Sequence, residues 1–332
     1  MTSLCLVVPC YNEEEIIVWS AEKLVAKMQK LIEQNKISTE SKILLVNDGS
    51  KDSTWKLIRE LCSKEKMIKA ISFSRNYGHQ NAVLAGLMET LNNFPEIDVT
   101  ISIDADLQQD IDAIDEFLEK YEDGCQIVYG VRNNRNTDGL LKKTTALMFY
   151  KLMQWLGCKT IKNHADYRLI SRKALIELEK YNEVNLFLRG LIPTLGYKTG
   201  IVYFDVHERE AGQSKYNLSK MLTLAIDGIT SFSVKPMRII CCIGIVSLII
   251  SFLQMLNLLV SYFSGADTIR GWASTICLIW FFGGMILFSL GIIGEYIGKM
   301  YLETKHRPRY IIEHRIYKNT VDVAKGSPEE KM

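Results

Sequence analysis

The sequence predicts an α/β domain built on a mostly parallel sheet and followed by a two-helix membrane hairpin. Three observations predict it. Five short apolar runs in the first 131 residues each lead into a helical pattern, the rhythm of a parallel sheet with helices on both faces. The residues just after each run are polar. Beyond Ile239, two long stretches carry no charge.

The elements follow in order. Leu4–Val8 precedes a helix from Asn12, Lys42–Val46 a helix from Asp52, and Ile68–Phe73 a helix near His79; Val99–Ile103 and Gln126–Val131 each lead into a further helical pattern. Ligands of such sheets collect beyond the carboxyl ends of the strands. There the sequence holds Pro9-Cys10-Tyr11-Asn12-Glu13, Asn47-Asp48-Gly49-Ser50, Ser74-Arg75-Asn76, Asp104-Ala105-Asp106 and Gly130-Val131-Arg132. Singly, these clusters have plainer readings. Asn12 followed by three glutamates is also a helix cap with an acidic first turn, and Asp48-Gly49-Ser50 is also an ordinary turn. Five together in one sheet point to a site. Two carboxylates directly after a buried strand need a counter-ion, and with the amide oxygen of Gln108 they suit a hard divalent cation, Mg²⁺ or Mn²⁺. A Walker loop and a G-x-G-x-x-G fingerprint are both absent from the sequence, which removes support for a P-loop NTPase or a dinucleotide dehydrogenase.

A chain of 332 residues holds one catalytic-sized unit and an appendage. The net charge of +2 lacks the basic excess with which nucleic-acid binders neutralise phosphates. The eight cysteines include no C-x-x-C pair and lie mostly in apolar stretches, which argues against zinc and disulfides and fits a reducing compartment.

Ile239–Phe263 and Trp272–Gly294 contain no Asp, Glu, Lys, Arg or His. As helices rising about 1.5 Å per residue, each covers a hydrocarbon core of roughly 30 Å; two buried helices of a soluble core are the alternative. Lys215, Lys220, Lys235 and Arg238 precede the first span, and Lys299, Lys305, Arg307 and Arg309 follow the second. The loop Ser264–Gly271 holds a single basic residue, Arg270. The positive-inside rule then puts both ends in the cytoplasm of a multi-pass plasma-membrane protein. Leu4–Val8 is too short for a signal-peptide core, so the N-terminal domain is expected in the cytosol. The expected organisation is a catalytic domain over 1–218, an interfacial amphipathic helix over 219–234 (or one packed on the soluble domain), a membrane hairpin over 235–294, and a juxtamembrane helix and tail over 295–332, with Ala324–Met332 disordered. Gly283, Gly284, Gly291, Gly294 and Gly298 offer a helix–helix association face, unless lipid merely tolerates them.

Seven segments carry a resemblance: VVPCYNEEE (7–15), LVNDGSKDST (45–54), FSRNYGHQNAVLAG (73–86), SIDADLQQD (102–110), YGVR (129–132), DYRLISR (166–172) and EREAGQSKY (208–216). Together they resemble the inverting nucleotide-sugar glycosyltransferases of family two. More narrowly they are similar to the polyisoprenyl-phosphate glycosyltransferases, which include dolichyl-phosphate mannose synthases and bactoprenol glucosyltransferases. The likeness extends over both spans and GEYIGKMYLETKHRPRY (294–310). One departure is Gln109-Asp110-Ile111-Asp112, where many relatives have Asp-Pro-Pro, so the shape of that loop stays open.

The resemblance implies a GT-A fold, a cytosolic nucleotide-sugar donor, a divalent metal and a membrane-embedded lipid phosphate acceptor. It implies that Pro9, Tyr11, Glu13 and Asp48 hold the base and ribose, that Arg75 also serves the nucleotide sugar, and that Asp104, Asp106 and Gln108 surround Mg²⁺ or Mn²⁺. Asp106 and Asp166 are the implied catalytic residues. Asp166 could instead pair with Arg168 or cap a turn. Inversion takes a single displacement, so no protein nucleophile is required, and a cation offsets charge on the leaving diphosphate. A phosphate monoester, with a second pKa of about 6, arrives largely dianionic and needs little or no general base. Arg132, Arg135, Lys142, Lys143, Arg209 and Lys215 could form a basic gateway for it; attraction to anionic lipids is the alternative. His79 and His207 are read as packing or hydrogen-bonding residues.

The expected reaction is transfer of a sugar, glucose as the best choice, from a UDP-sugar to undecaprenyl phosphate for cell-envelope glycan modification. N-acetylglucosamine, galactose and GDP-mannose are the alternatives. A processive polysaccharide synthase is the enzymatic rival, but its Q-x-x-R-W motif is absent. The acidic motif counts against a non-catalytic nucleotide-sugar-binding scaffold. Two spans cannot enclose a path for a sugar headgroup, so a separate flippase and a downstream glycosyltransferase are expected, with self-association of this chain, a tetramer being one option.

Overall fold

The computed structural model describes residues 1–133, 164–184, 186–205, 237–240, 242–247, 249, 253, 256, 271–318 and 320–323. Its first strands and helices alternate as β1 (Leu4–Cys10), α1 (Ile17–Glu33), β2 (Lys42–Asn47), α2 (Thr54–Lys64), β3 (Ile68–Phe73), α3 (His79–Asn93), β4 (Val99–Ser102), α4 (Ile114–Glu122) and β5 (Ile127–Arg132). Then come β6 (His164–Ser171), α5 (Arg172–Glu179), α6 (Leu188–Leu191), β7 (Thr199–Phe204), α7 (Trp272–Thr304), β8 (Ile312–Lys318) and β9 (Thr320–Val323). The strands form one sheet in the order β7-β5-β6-β4-β1-β2-β3-β8-β9.

Apolar runs without alternation make strands that are buried on both faces, as parallel strands must be. In β1, Leu4, Leu6 and Val8 enter the cluster with Ile17, Leu24 and Met28 of α1 and Phe117 of α4, while Cys5 and Val7 enter the cluster with Ala82 and Ala85 of α3. Successive side chains thus feed two helical layers. Fully burying one such aliphatic side chain contributes roughly 1.5–3 kcal/mol. Helix α3 lies especially close to the sheet, because a Cβ at Gly86 would fall 2.2 Å from Val7 Cγ1.

The centre, β3-β2-β1-β4, is parallel. Strand β6 runs antiparallel to both β4 and β5, so β5 points the same way as β4. The carboxyl ends of β1 to β5 therefore share one edge, as expected, and the amino end of β6 joins them there. The strand–helix rhythm gave no sign of β6, nor of the antiparallel pair β8 and β9 beyond β3. Both lie outside its repeating unit.

Two helix starts differ from expectation. Asn12 has φ 53 and does not begin a helix. Its backbone N–H donates to Ser50 Oγ (3.0 Å) and its side chain accepts from Lys51 N (2.9 Å), so the chain cross-links to the next loop and winds only at Ile17. Asp52 likewise stands ahead of α2, accepting from Thr54 N (3.0 Å) and Glu14 N (3.3 Å), and the helix starts at Thr54. The Gln109–Asp112 departure leads into a 3₁₀ turn, Ile111–Ala113, whose cap Asp110 accepts from Asp112 N through its side chain (2.8 Å). Lys27 of α1 fastens it, 2.6 Å from Asp112 and 2.6 Å from Asp115.

The chain divides into two compact units, 1–150 with 159–217 and 307–332, and 151–158 with 218–306. In the second, α7 is one continuous helix of 33 residues, roughly 50 Å long. It passes the expected end of the span at Gly294 without a break. Its stretch Phe281–Thr304 is long and apolar enough to cross a membrane. The first expected span is described only in helical pieces, 237–240 and 242–247 among them. In the first unit, the segment expected as a helix and tail supplies β8 and β9. Arg315 of β8 forks onto Glu89 of α3 (3.0 and 3.2 Å), and Tyr317 hydrogen-bonds the same carboxylate. The amphipathic stretch 219–234, the loop 264–270 and the tail Ala324–Met332 lie outside the described residues. Burial pushes the Cys5 and Cys62 thiols up to about 12, which keeps them protonated and inert.

Candidate active site at the carboxyl edge of the sheet

Loops after β1 and β2 lace together at this edge. Glu13 N donates to Thr54 Oγ1 (2.8 Å), and Glu14 accepts from Ser53 N (2.8 Å). Pro9 is buried within β1, opposite Val46, while Tyr11 and Glu13 are partly exposed. Asp48, at the end of β2 and 2% exposed, accepts from the backbone N–H of Tyr77 (2.6 Å) and Gly78 (3.0 Å) and from Asn76 Nδ2 (3.0 Å). Burial pushes its carboxyl up, and the two amides pull it back only in part. The loop after β3 can approach this closely because the next residue is Gly49, at φ 60, where a Cβ would meet Arg75 C at 2.2 Å. Arg75 is exposed, its guanidinium 4.1 Å over the Tyr77 ring.

After β4 the side chains alternate. Asp104, Asp106 and Gln108 are partly exposed, and Ala105, Leu107 and Gln109 are buried. The three expected metal ligands are thus the half-open set. Gln109, which the sequence did not single out, supports them: its Oε1 accepts from Asp104 N (2.8 Å) and its Nε2 donates to Asp104 Oδ2 (2.6 Å). Asp106 Oδ1 accepts from Gln108 N (3.3 Å). Burial pushes the Asp104 carboxyl up, His79 opposes that, and the negative charges of Asp166 and Asp106 add to it. Crowded carboxylates with an amide oxygen beside them are a donor set that fits a divalent cation. Among the described residues no group of three His, Cys, Asp or Glu is drawn into ligating geometry, so a cation here would complete its shell with substrate oxygens or water.

Asp166, near the amino end of β6, has a 15% exposed side chain. Arg189 of α6 grips it through Nη2 (2.9 Å) and Nε (3.2 Å), and Arg168, wholly buried, bonds Oδ1. His79 Nε2 stands 3.5 Å from Asp166 Oδ2 and 3.7 Å from Asp104 Oδ1. Burial works against the Asp166 charge, yet Arg189, His79 and Arg168 hold the carboxyl well below the usual carboxylate range. The pairing with Arg168 considered from the sequence is therefore present, alongside two partners that the sequence did not suggest. His79 hydrogen-bonds as expected, but it does so inside the site, bridging two aspartates. It opens α3, directly after Gly78 in the loop that follows β3. Arg189 lies on a four-residue helix with no strand-end marker, and nothing in its neighbourhood flagged it.

Arg132 is exposed at the end of β5, close enough to draw the Asp104 carboxyl down. The other expected acceptor-side cations, Arg135, Lys142, Lys143, Arg209 and Lys215, lie outside the described residues, as does His207.

An α/β sheet that gathers paired carboxylates and guanidiniums along its carboxyl edge suits an enzyme of phosphorylated substrates. The model for "Glycosyl transferase family 2" matches residues 5–179. The chain is 46% identical over 329 residues to the "Uncharacterized glycosyltransferase YkoT" of Bacillus subtilis (strain 168), covering 99% of this chain and 96% of that one. It is 40% identical over 309 residues to "Uncharacterized glycosyltransferase YkcC" of the same organism, covering 93% and 92%. To the "Bactoprenol glucosyl transferase" of Shigella phage SfX it is 39% identical over 313 residues, covering 94% and 99%. The chain belongs to glycosyltransferase family two, with its catalytic sheet in the GT-A class.

Proposed function

We propose that this enzyme moves a sugar, with inversion, from a nucleoside-diphosphate donor to a membrane-held polyprenyl phosphate. The observation that carries the reading is the Asp104–His79–Asp166 bridge, which sets the acidic pair suited to a donor's metal beside a carboxylate flanked by two arginines. Support for the lipid acceptor comes from the bactoprenol glucosyl transferase of phage SfX, similar along nearly its whole length, and from the apolar length of α7. Glucose is favoured because that relative is named a glucosyl transferase, and a uridine nucleotide is proposed with it. N-acetylglucosamine, galactose and GDP-mannose are the other donors to test.

Asp104, Asp106 and Gln108 would hold Mg²⁺ or Mn²⁺, which when bound offsets the charge of the departing diphosphate. Pro9, Tyr11, Glu13, Asp48 and Arg75 are proposed around the nucleotide, with Asp48 acting through the 76–78 loop that its carboxylate closes. The acceptor oxygen needs little or no deprotonation, because a phosphate monoester with a second pKa of about 6 is largely dianionic at neutral pH. Asp166, held ionised by cations, is a poor proton acceptor and serves to fix its arginines. Arg132, Arg135, Lys142, Arg209 and Lys215 are proposed along the acceptor's approach. The chain is further proposed to span the plasma membrane twice, with the catalytic domain in the cytoplasm. It would form a homo-oligomer through the glycine face of α7, where a Cβ at Gly283, Gly284, Gly291, Gly294 or Gly298 meets nothing within 4 Å. A separate flippase and a downstream glycosyltransferase would use the product.

The test is a donor screen with purified protein, polyprenyl phosphate, Mg²⁺ or Mn²⁺ and labelled nucleotide sugars. Label should enter the organic phase with one donor, and Asp104→Asn or Asp106→Asn should abolish it. Label that stays water-soluble with every donor would defeat the lipid acceptor, and full activity of both variants would defeat the metal assignment.

A further inference from the structure

We propose that Ser20 and Lys27 of α1 are positioning residues for the loop after β4, which they hold in the shape that presents Asp104, Asp106 and Gln108; the proposal rests on the metal assignment above. That loop needs holding. Leu107, between two of the proposed ligands, has φ 45, a left-handed backbone that a bulky residue keeps only where its surroundings impose it. Residues 103–116 contain no proline to stiffen the chain, so the constraint has to come from outside the loop.

Helix α1 supplies it at two points. Ser20 Oγ donates to the carbonyl of Ala105 (2.5 Å), between Asp104 and Asp106. Seven residues later, two turns along the same helix face, Lys27 Nζ lies 2.6 Å from Asp112 and 2.6 Å from Asp115. From there the hold passes back toward the ligands through a run of bonds. Asp112 N donates to the Asp110 side chain (2.8 Å), Tyr167 Oη donates to the Asp110 carbonyl (3.0 Å), and the adjacent Gln109 clasps Asp104 at 2.6 and 2.8 Å. An ion pair made only at the surface leaves its ammonium in water and contributes little. Lys27 is instead 8% exposed, and lysines are almost never buried unless paired. Burial works against its charge, yet Asp112 and Asp115 more than restore it. The loop is thus pinned to one helix at residue 105 and again at 112 and 115.

A loop already in its binding shape loses less freedom when a cation arrives, so cutting a pin should weaken metal binding. Charge alone predicts the reverse for Lys27, because removing a positive charge raises a site's attraction for a cation. The two explanations differ in sign.

Full-length wild-type, Lys27→Met, Lys27→Arg and Ser20→Ala proteins, each with UDP present, would be compared by the Mn²⁺ dissociation constant, read from the electron paramagnetic resonance signal of free Mn²⁺. Transfer kcat at saturating Mn²⁺ and the thermal midpoint would be measured alongside. Lys27→Met should raise the dissociation constant roughly 10-fold and leave kcat at saturating Mn²⁺ unchanged. Lys27→Arg, which keeps the charge, should recover most of the affinity. Ser20→Ala alters no charge and little volume, so it keeps the test open if Lys27→Met does not fold; it should raise the constant about 3- to 5-fold. Unchanged or tighter Mn²⁺ binding in Lys27→Met, or unchanged binding in Ser20→Ala, would overturn the proposal. A lowered thermal midpoint with a loss of kcat that saturating Mn²⁺ does not restore would reduce both residues to supports of the fold and overturn it too. Wild-type protein that binds no Mn²⁺ would remove the metal assignment and the proposal with it, an outcome read before any variant is made.

Discussion

Asp48 and Asp166 stand on the same edge of one sheet, and both carboxylates are largely buried, with Asp48 2% exposed and the Asp166 side chain 15%. Their acidities nevertheless move in opposite directions. Asp48 meets chiefly the neutral amides of Tyr77 and Gly78, with the charge of His79 as the lesser aid, and these only partly offset burial. Asp166 meets Arg189, His79 and Arg168, which outweigh it. Burial alone therefore does not decide what a rim carboxylate is for. Partners of full charge make Asp166 a permanent anion around which cations are arranged, whereas amide partners make Asp48 the fastening of a loop.

The largest effect should come from Asp166→Asn. Arg168 would be left wholly buried without its counter-charge, at a cost of about 3–5 kcal/mol in a urea unfolding curve, and transfer should fall by about 100-fold or more. Asp166→Asn combined with Arg168→Met should regain much of the stability but none of the activity, because an apolar pair of similar volume is often tolerated where a lone charge is not. A single-variant loss below about 1 kcal/mol would mean that the cluster is solvated and the comparison fails.

Asp48→Asn should cost less, about 1–2 kcal/mol, since an amide oxygen still accepts from the loop. If it matched Asp166→Asn, neutral dipoles would have to count as much as guanidiniums.

The pH dependence sharpens the contrast, with opposite signs. Asp166 is lowered, so its contribution is present above the ordinary value near 3.9 and is lost as pH falls through the lower folded value. Asp48 is raised, so the folded state holds its proton longer, and stability declines as pH rises from about 3.9 through the raised value. Urea midpoints between about pH 3 and pH 6 should therefore show a shallower acid-side loss in Asp166→Asn and a gentler decline with rising pH in Asp48→Asn.

The smallest effect belongs to Arg75→Ala, because this exposed guanidinium over the Tyr77 ring is worth about 0.5–1 kcal/mol. A raised donor KM without loss of stability would support its place at the nucleotide.

Much of the rim was legible from residues 1–132, because an apolar run, the polar residues after it and a following helix are local signals. Asp104, Asp106 and Gln108 were marked by their place after a buried strand, and the structure leaves those three half-open. What escaped were supports held across distance in the chain. Gln109 reads as one more polar residue until its amide is seen to clasp Asp104 at both ends. Arg315 and Glu89 are 226 residues apart, and their fork, with Tyr317 on the same carboxylate, fastens β8 to α3.

By itself, then, the sequence determined the alternating α/β frame, the edge on which polar residues collect and the apolar length of α7. Each follows from hydrophobicity and backbone preference over a few neighbouring residues. Tertiary structure alone decided that Asp166 is gripped by Arg189, 23 residues further on, as well as by Arg168, that His79 bridges it to Asp104, and that the chain beyond α7 returns to extend the sheet. The reason is physical: the state of a buried charge is set by which opposite charges and dipoles lie within a few ångströms of it, and spacing along the chain does not encode that distance.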